Sequence, residues 1–401
     1  MSVPLDRLYH YLDDCVNHDL LIYGWAPHGS RNLDNLIPWL DYSHHEFLHH
    51  APLLCHDQEP LDFAFYSYQQ LKQRATKICT VWQFDDWLTD SILDYIANQN
   101  LRGAMQIANQ FDLTMLLHSE LNSVQVDRYS QHGFVPVYYW AHAVIAHDWY
   151  RYAKHDPTLH FDLNNIKQDF LVYNRAWSGT REYRLYFTEQ LVNQRLLDHV
   201  QIKFNPIDGQ HYTQHVFKNK NLQIVNFDLD QHLPPTSATA NASADYVSQD
   251  YTQTGIEVVL ETVFDDSRWH LTEKTLRPIA CGKPFILAAT PGSLEYLRLY
   301  GFETFAGLID ESYDTIIDSQ HRLDAIVAEM KRIAALDTAA KQVLYAKLHE
   351  IAQRNKQHFF NGLADQVINE YKTNLNQAMI TMNQHRTSHH RVAIRRLLQQ
   401  N

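Results

Sequence analysis

The chain has 401 residues, a formal net charge of −12, 45% hydrophobic residues and 12% aromatic residues, with 23 tyrosines among them. That apolar content sustains a large core and excludes general disorder, and the length favours two domains over one. No apolar run reaches the roughly 18 residues of a membrane span, and an acidic chain is a poor non-specific binder of polyanions.

The opening stretch, MSVPLDRLYHYLDDC, carries an acidic cluster and no apolar centre, so no signal peptide is expected. Cys15, Cys55, Cys79 and Cys281 form no CxxC pair. Free thiols in a reducing cytoplasm fit that scatter better than a disulfide frame or a zinc knuckle. Residues 20–25 then read as a buried strand running into a polar loop at 26–32. Residues 51–56 read as a second strand, stopped by Pro60. Further strands are expected at 77–82 and 113–118. Between them, residues 87–98 have helical apolar spacing at Leu88, Ile92, Tyr95 and Ile96. Strands alternating with helices predict a parallel α/β sheet.

The pattern restarts near residue 168. A strand at 170–173 leads into a polar turn at 174–181. A helix follows, with Tyr183, Phe187 and Leu191 on one face. Residues 222–227 read as the next strand, and the Ser/Thr/Ala-rich stretch 233–254 as a long loop. Strands at 256–263 and 284–288 flank a helix at 273–281. From 321 to about 384 the chain reads as helical, and a tail with Arg386, Arg391, Arg395 and Arg396 follows. The fold class expected is α/β: two Rossmann-like domains facing a cleft, at 1–165 and 166–330, with C-terminal helices and a basic tail at 331–401. Ligands of such sheets sit outside the carboxyl ends of the strands.

The richest stretch for chemistry runs from Glu261 to Pro284. Thr272 can cap the helix that follows, where backbone N–H groups and the helix dipole attract phosphate. Lys274 adds a cation for a diphosphate, and Glu273 can accept hydrogen bonds from a ribose diol. An ordinary capped helix start has the same appearance. Arg175 and Arg181 lie in the turn after the first strand of the second half, and guanidinium forks suit phosphate. Ser178 and Gly179 there permit close backbone approach. The alternative is a surface turn whose arginines pair with acids such as Glu182. The string Asp228-Leu229-Asp230 resembles a metal-binding DxD, which is common by chance, and no metal site is assigned.

The segment Leu271-Thr272-Glu273-Lys274 with the later Gly282-Lys283-Pro284-Phe285-Ile286 resembles the donor-binding domain of GT-B glycosyltransferases, fucosyltransferase-type enzymes in particular. Further blocks look like those of a group of phage and bacterial glycosyltransferases, some of which decorate hydroxymethylated bases in DNA. These are Asp57-Gln58-Glu59-Pro60-Leu61, Tyr138-Tyr139-Trp140, Asp148-Trp149-Tyr150-Arg151-Tyr152, the 174–181 turn and Pro291-Gly292-Ser293-Leu294. The resemblance covers roughly residues 50–315. It implies a nucleoside diphosphate-sugar donor, with UDP favoured, held by Arg175, Ser178, Arg181, Thr272, Glu273 and Lys274.

An inverting transfer needs a base in the first domain. Asp57 and then Glu59 are the expected candidates, although Glu59 can equally anchor its loop. His28, His118, Tyr139 and Trp140 are the expected acceptor contacts, and the Tyr-Trp pair can equally be core. No cofactor is required, because Lys274, Arg175 and Arg181 can neutralise the leaving diphosphate. Magnesium or manganese would serve the same end. The acceptor that the phage-like blocks and the basic tail imply is 5-hydroxymethylcytosine in DNA; a surface glycan, which the negative net charge favours, is the alternative. A non-catalytic nucleotide- or carbohydrate-binding protein is the rival from another class. A phosphoryl-transfer enzyme is disfavoured, because no GxxxxGK[ST] string is present.

Overall fold

The computed structural model describes residues 21–25, 52–56, 114–131, 134–138, 140–226, 228–233, 246–367 and, up to 381, positions 369–371, 373, 374, 377, 378, 380 and 381. The chain divides into two compact units, 1–145 with 365–401, and 146–364. The expected border stood at 165/166. The compact units part at 145/146, and the last residues of the chain belong with the first unit rather than with a separate helical region.

In the first unit, four parallel strands stand in the order β1 (Leu21–Trp25), β2 (Pro52–His56), β3 (Thr114–His118) and β4 (Phe134–Tyr138). β1 to β3 match the expected strands to within a residue. The expected strand at 77–82 and helix at 87–98 lie outside the described residues. Helix α1 (Val124–Gln131) links β3 to β4, and α2 (Ala141–Trp149) follows β4. Trp25, His56, His118 and Tyr138 close the four parallel strands and so mark one carboxyl edge of the sheet.

The second unit holds another four-stranded parallel sheet. Its strands are β5 (Gln168–Asn174), β6 (Val200–Phe204), β9 (Thr254–Leu260) and β10 (Phe285–Ala288), in the spatial order β10-β9-β5-β6. A small antiparallel pair, β7 (Ile207–Asp208) and β8 (Gln210–His211), lies between β6 and β9 in sequence. Every residue of β9 is buried, as a central strand covered on both faces requires. Helix α3 (Tyr183–Asn193) joins β5 to β6. After the short helices α4 (Leu229–His232) and α5 (Ser248–Thr252), helix α6 (Glu273–Cys281) joins β9 to β10. The two crossovers run in opposite directions along the sheet. Right-handed connection therefore puts α3 and α6 on opposite faces. Helices α7 (Ser293–Leu299), α8 (Ser319–Ala334) and α9 (Thr338–His358) complete the unit, with α8 on α3 and α9 on α6.

One expected strand is absent. Residues 220–222 form a single 3-10 turn and 223–226 have no regular structure. Val225 and Asn226 donate their N–H groups to Glu189 Oε1 at 2.7 and 2.5 Å, so a buried carboxylate takes the place of a strand partner. The strand beside β5 is β6, at 200–204. Its alternating burial marks a half-covered edge strand, whose pattern of apolar and polar residues is weak in sequence. The long polar stretch also ends earlier than expected. Its last residues form α5, which buries Asp250 and Tyr251.

Tyr251 belongs to a polar network inside the core. Glu257, in mid-β9, pairs with Arg277 Nη2 at 2.7 Å and accepts from Tyr251 Oη at 2.7 Å. Arg277 Nε donates to the same Tyr251 oxygen, and its guanidinium lies 4.3 Å from the centre of the Tyr173 ring. Arg277 is held above its usual range: burial works against the charge, and the Glu257 carboxylate outweighs it. A buried charge survives only when paired and hydrogen-bonded in this way. The network fixes α6 against β9 and so sets the position of the helix start. Gly282, at φ +69°, ends α6 in the left-handed conformation that glycine favours.

Candidate functional site

The order β10-β9-β5-β6 has a switch point between β5 and β9, because the chain leaves β5 toward one side and returns on the other. Crevices at such points, outside the carboxyl ends, are where open α/β sheets bind ligands. The turn after β5 and the loop from Glu261 to Thr272 meet there. Thr180 Oγ1 donates to Thr262 O at 2.8 Å. Arg184, on α3 and buried, spans the two loops. Its guanidinium donates to Ala176 O, Leu260 O and Glu261 O at 2.6–2.8 Å. Tyr183 Oη donates to Glu261 O at 2.7 Å and its ring stacks on Phe264. Arg322, from α8, caps the carbonyls of Phe264 and Ala289 and so ties the loops after β9 and β10 together.

The start of α6 is organised by Glu261. This carboxylate has no exposed surface and accepts five hydrogen bonds. Thr272 N and Thr272 Oγ1 donate at 2.9 and 2.7 Å, and Thr275 N and Thr275 Oγ1 at 3.2 and 2.5 Å. Thr262 N donates the fifth, at 3.0 Å. Thr272 caps the helix as its sequence position predicts: its side chain accepts from Lys274 N at 3.3 Å. Carboxylates are favoured at helix N-termini by the dipole and the unpaired N–H groups. The protein thus satisfies these N–H groups with its own anion. Of the backbone N–H groups expected to attract phosphate at this helix start, those of Thr272 and Thr275 are engaged by Glu261 and that of Lys274 by Thr272 Oγ1.

What remains for an anionic ligand is side chains. Lys274 Nζ sits over the end of β9, 3.2 Å from Thr262 Oγ1, 3.3 Å from Thr272 Oγ1 and 2.9 Å from Glu273 Oε1. Lys274 keeps 18% of its side-chain surface exposed and Glu273 only 3%. Tyr150 Oη donates to Glu273 O at 3.3 Å, which fixes the helix start from beneath. Arg175 follows β5. Burial lowers its guanidinium below the ordinary value, and the opposing charge of Glu273 partly restores it. Arg175, Arg181, Glu273 and Lys274 therefore form one electrostatic cluster at the carboxyl edge of β5 and β9.

The turn after β5 is fixed as well. Asp208 Oδ2 accepts from Trp177 N at 2.8 Å and Ser178 N at 2.7 Å. Burial acts to raise the Asp208 carboxyl, but these hydrogen bonds and Arg181 hold it below the usual range. The Ser178 amide, in the stretch expected to allow close backbone approach, is taken by that carboxylate. Glu182 accepts instead from His215 Nε2, Lys218 N and Asn219 N. It is not the partner that a plain surface turn would have offered Arg175 and Arg181.

The first unit supplies fewer described positions. His28, Asp57, Glu59 and Tyr139 lie outside the described residues. Trp140 is fully buried, which is the core alternative. His118 ends β3 and is 3% exposed; its Nδ1 accepts from Glu120 N at 3.4 Å. Burial pushes its imidazole down to about 4. An unfolded histidine titrates near 6.5, so the neutral folded form contributes stability that is complete above pH 6.5 and lost as pH falls toward 4. The melting temperature should therefore fall more steeply between pH 6.5 and 4 in the wild type than in His118→Gln. Calorimetric scans across that window check this, and parallel curves would contradict it.

Of the Asp228-Leu229-Asp230 string, Asp230 is engaged by a tyrosine hydroxyl. Tyr212 Oη donates to Asp230 Oδ1 at 2.7 Å, and His232 Nε2 lies 3.7 Å from Asp228 Oδ1. Among the described residues no group of three or more His, Cys, Asp or Glu side chains is placed to hold a metal ion. Among them, too, no helix is long and apolar enough to cross a membrane.

Glu261, Arg184 and Asp208 were not singled out by the sequence. Each is an ionic side chain with most of its partners eight or more positions away in sequence, and only the closed loops bring such partners together. No protein-family model matches the chain, and no curated protein matches it. Among solved structures, the α,α-trehalose 6-phosphate synthase from Burkholderia multivorans is similar at a TM-score of 0.31 and 10% identity, over 93% of this chain and 81% of that one. A likeness that weak bears on neither fold nor function.

Proposed function

We propose that the chain is a glycosyltransferase, moving a sugar from a nucleoside diphosphate-sugar to an acceptor hydroxyl. The observation that carries this reading is the cluster of Arg175, Arg181, Glu273 and Lys274 at the switch point of the second sheet. Three cations beside a buried carboxylate suit a diphosphate next to a ribose: guanidinium and ammonium groups meet the phosphate oxygens, and Glu273 accepts from the ribose hydroxyls. The resemblance of the Thr272-Glu273-Lys274 segment to fucosyltransferase-type donor motifs points the same way. UDP is the favoured carrier.

In the reaction, the acceptor oxygen attacks the anomeric carbon and the bond from that carbon to the diphosphate oxygen breaks. Its electron pair passes to the leaving diphosphate. Lys274 and Arg175 stabilise the developing negative charge, the role a divalent cation would otherwise take. Asp57, or Glu59 beside it, takes the acceptor proton if the configuration inverts. Hydroxymethylcytosine in DNA and a surface glycan are the two acceptors considered.

Thermal-shift and hydrolysis measurements with a panel of nucleotide-sugars test the reading. At least one donor should stabilise the protein and turn over slowly in water, and silence from the whole panel would refute it. Asp57→Asn separates the rival: a transferase loses transfer and keeps donor binding, whereas a binding protein without catalysis is indifferent to the change.

A further inference from the structure

Arg175 and Arg181 sit in one short turn, and a second segment of the same unit braces that turn. Residues 205–208 follow β6 and lead into the β7–β8 hairpin. Asn205 N donates to Asn174 O at 3.1 Å, and Trp177 Nε1 donates back to Asn205 O at 2.9 Å. Asp208 Oδ2 takes two consecutive amides, Trp177 N at 2.8 Å and Ser178 N at 2.7 Å. Trp177 has no exposed surface, so its indole pins the brace to the core. Beyond Ser178, Gly179 at φ +67° opens the 3-10 turn that ends at Arg181. The path of the chain between the two arginines is thus set by residues 28 to 31 positions away.

Charge leads to the same residue. Arg175 is opposed by the like charges of Arg181 and Arg277, and the acids that offset them are Glu273 and Asp208. Guanidinium groups gathered in a half-buried turn repel one another, so an internal anion is needed to keep them together. Two consecutive amides that converge on one oxygen are also a donor pair that can hold an anionic ligand. The Asp208 carboxylate can therefore relate to a ligand phosphate in two ways: it braces the turn, or it stands in the phosphate's place and must leave. The bonds through Asn205 decide between them. A placeholder needs a segment free to swing away, whereas this one is tied to the turn at Asn174 and at the buried Trp177 as well.

We propose that Asp208 is a positioning residue: from the start of the β7–β8 hairpin it holds the turn after β5 so that Arg175 and Arg181 meet a diphosphate already arranged. Asp208 acts through the arginines and does not itself touch the ligand. Side chains ordered beforehand spare the ligand the cost of ordering them on binding. That the diphosphate belongs to a sugar donor rests on the glycosyltransferase reading; its capture by the arginines requires neither sugar nor nucleoside.

The test is titration calorimetry on the full chain with inorganic pyrophosphate and, separately, with UDP; circular dichroism reads the fold of each variant. The wild type should bind both. Asp208→Ala should weaken both about ten-fold, the cost of ordering one long side chain on binding rather than beforehand. Asp208→Asn keeps an acceptor oxygen for the two amides and should stay within about three-fold of the wild type. Trp177→Phe loosens the same brace by removing the Nε1–H bond to Asn205, and should weaken pyrophosphate by about three-fold. That variant carries the test if Asp208→Ala does not fold. Pyrophosphate affinity unchanged in Asp208→Ala overturns the proposal, and tighter binding overturns it by making the carboxylate a placeholder. A loss in Asp208→Asn as large as that in Asp208→Ala overturns it equally. Silence of the wild type toward both probes removes the arginines as an anion site and the proposal with them. If pyrophosphate binds and Asp208→Ala weakens it, but UDP does not bind, the UDP-sugar reading falls and the positioning role stands.

Discussion

Glu261→Ala should destabilise the second unit by about 3–5 kcal/mol, the usual cost of breaking a buried ionic network by removing one member. Five donors point at this carboxylate, and alanine leaves them buried without it. Each orphaned donor carries a desolvation cost of about 1–3 kcal/mol, reduced where loops relax or water enters. The favourable field of the helix N-terminus on the anion disappears too. For a unit of this size the melting temperature should drop by about 6–20 °C. Glu261→Gln keeps the shape and one acceptor oxygen, so its loss should be smaller. Differential scanning calorimetry of both variants gives the comparison. If Glu261→Ala melts within a degree or two of the wild type, the anion at the start of α6 is not what holds the loop.

Lys274→Met should weaken nucleoside diphosphate binding by about 30- to 1,000-fold, equivalent to about 2–4 kcal/mol for a lost charged contact. The methionine keeps the length of the stem and removes the ammonium. Lys274 is partly exposed, and its present partners are two threonine hydroxyls and Glu273, so the fold should survive. Titration calorimetry with UDP reads the affinity, and circular dichroism reads the fold. Glu261→Gln shifts the same two threonines without touching the ammonium, so it should weaken UDP far less. Unchanged UDP affinity in Lys274→Met would remove Lys274 from the diphosphate site.

These two residues mark the division between what was legible in the sequence and what was not. Lys274, Glu273 and Thr272 stand consecutively at a helix start, and their cap, their order and the helix itself follow from local rules. The strands β1, β2, β3, β5, β9 and β10 were legible for the same reason: each holds a short apolar run, such as Phe170-Leu171-Val172-Tyr173 in β5 and Val258-Val259-Leu260 in β9. β6 was not, because an edge strand covered on one face carries half the signal. The run at 222–227 looked like a strand and is not one, because Glu189 satisfies its amides from across the fold. Arg175 and Arg181 were placed correctly at a strand exit, yet their nearness to Glu273 depends on the strand order, which no local pattern specifies.

The sequence by itself determined the class of the fold, the exits of the strands it made legible and the position of the helix α6, since these depend on neighbours a few residues apart. The tertiary structure decided that β5 and β9 lie side by side, that Glu261 fills the helix N-terminus and that the last helical residues return to the first unit. Those outcomes depend on contacts between residues 11 to more than 200 positions apart. Closing such loops is opposed by chain entropy and favoured only by the packed whole, so no segment encodes them alone.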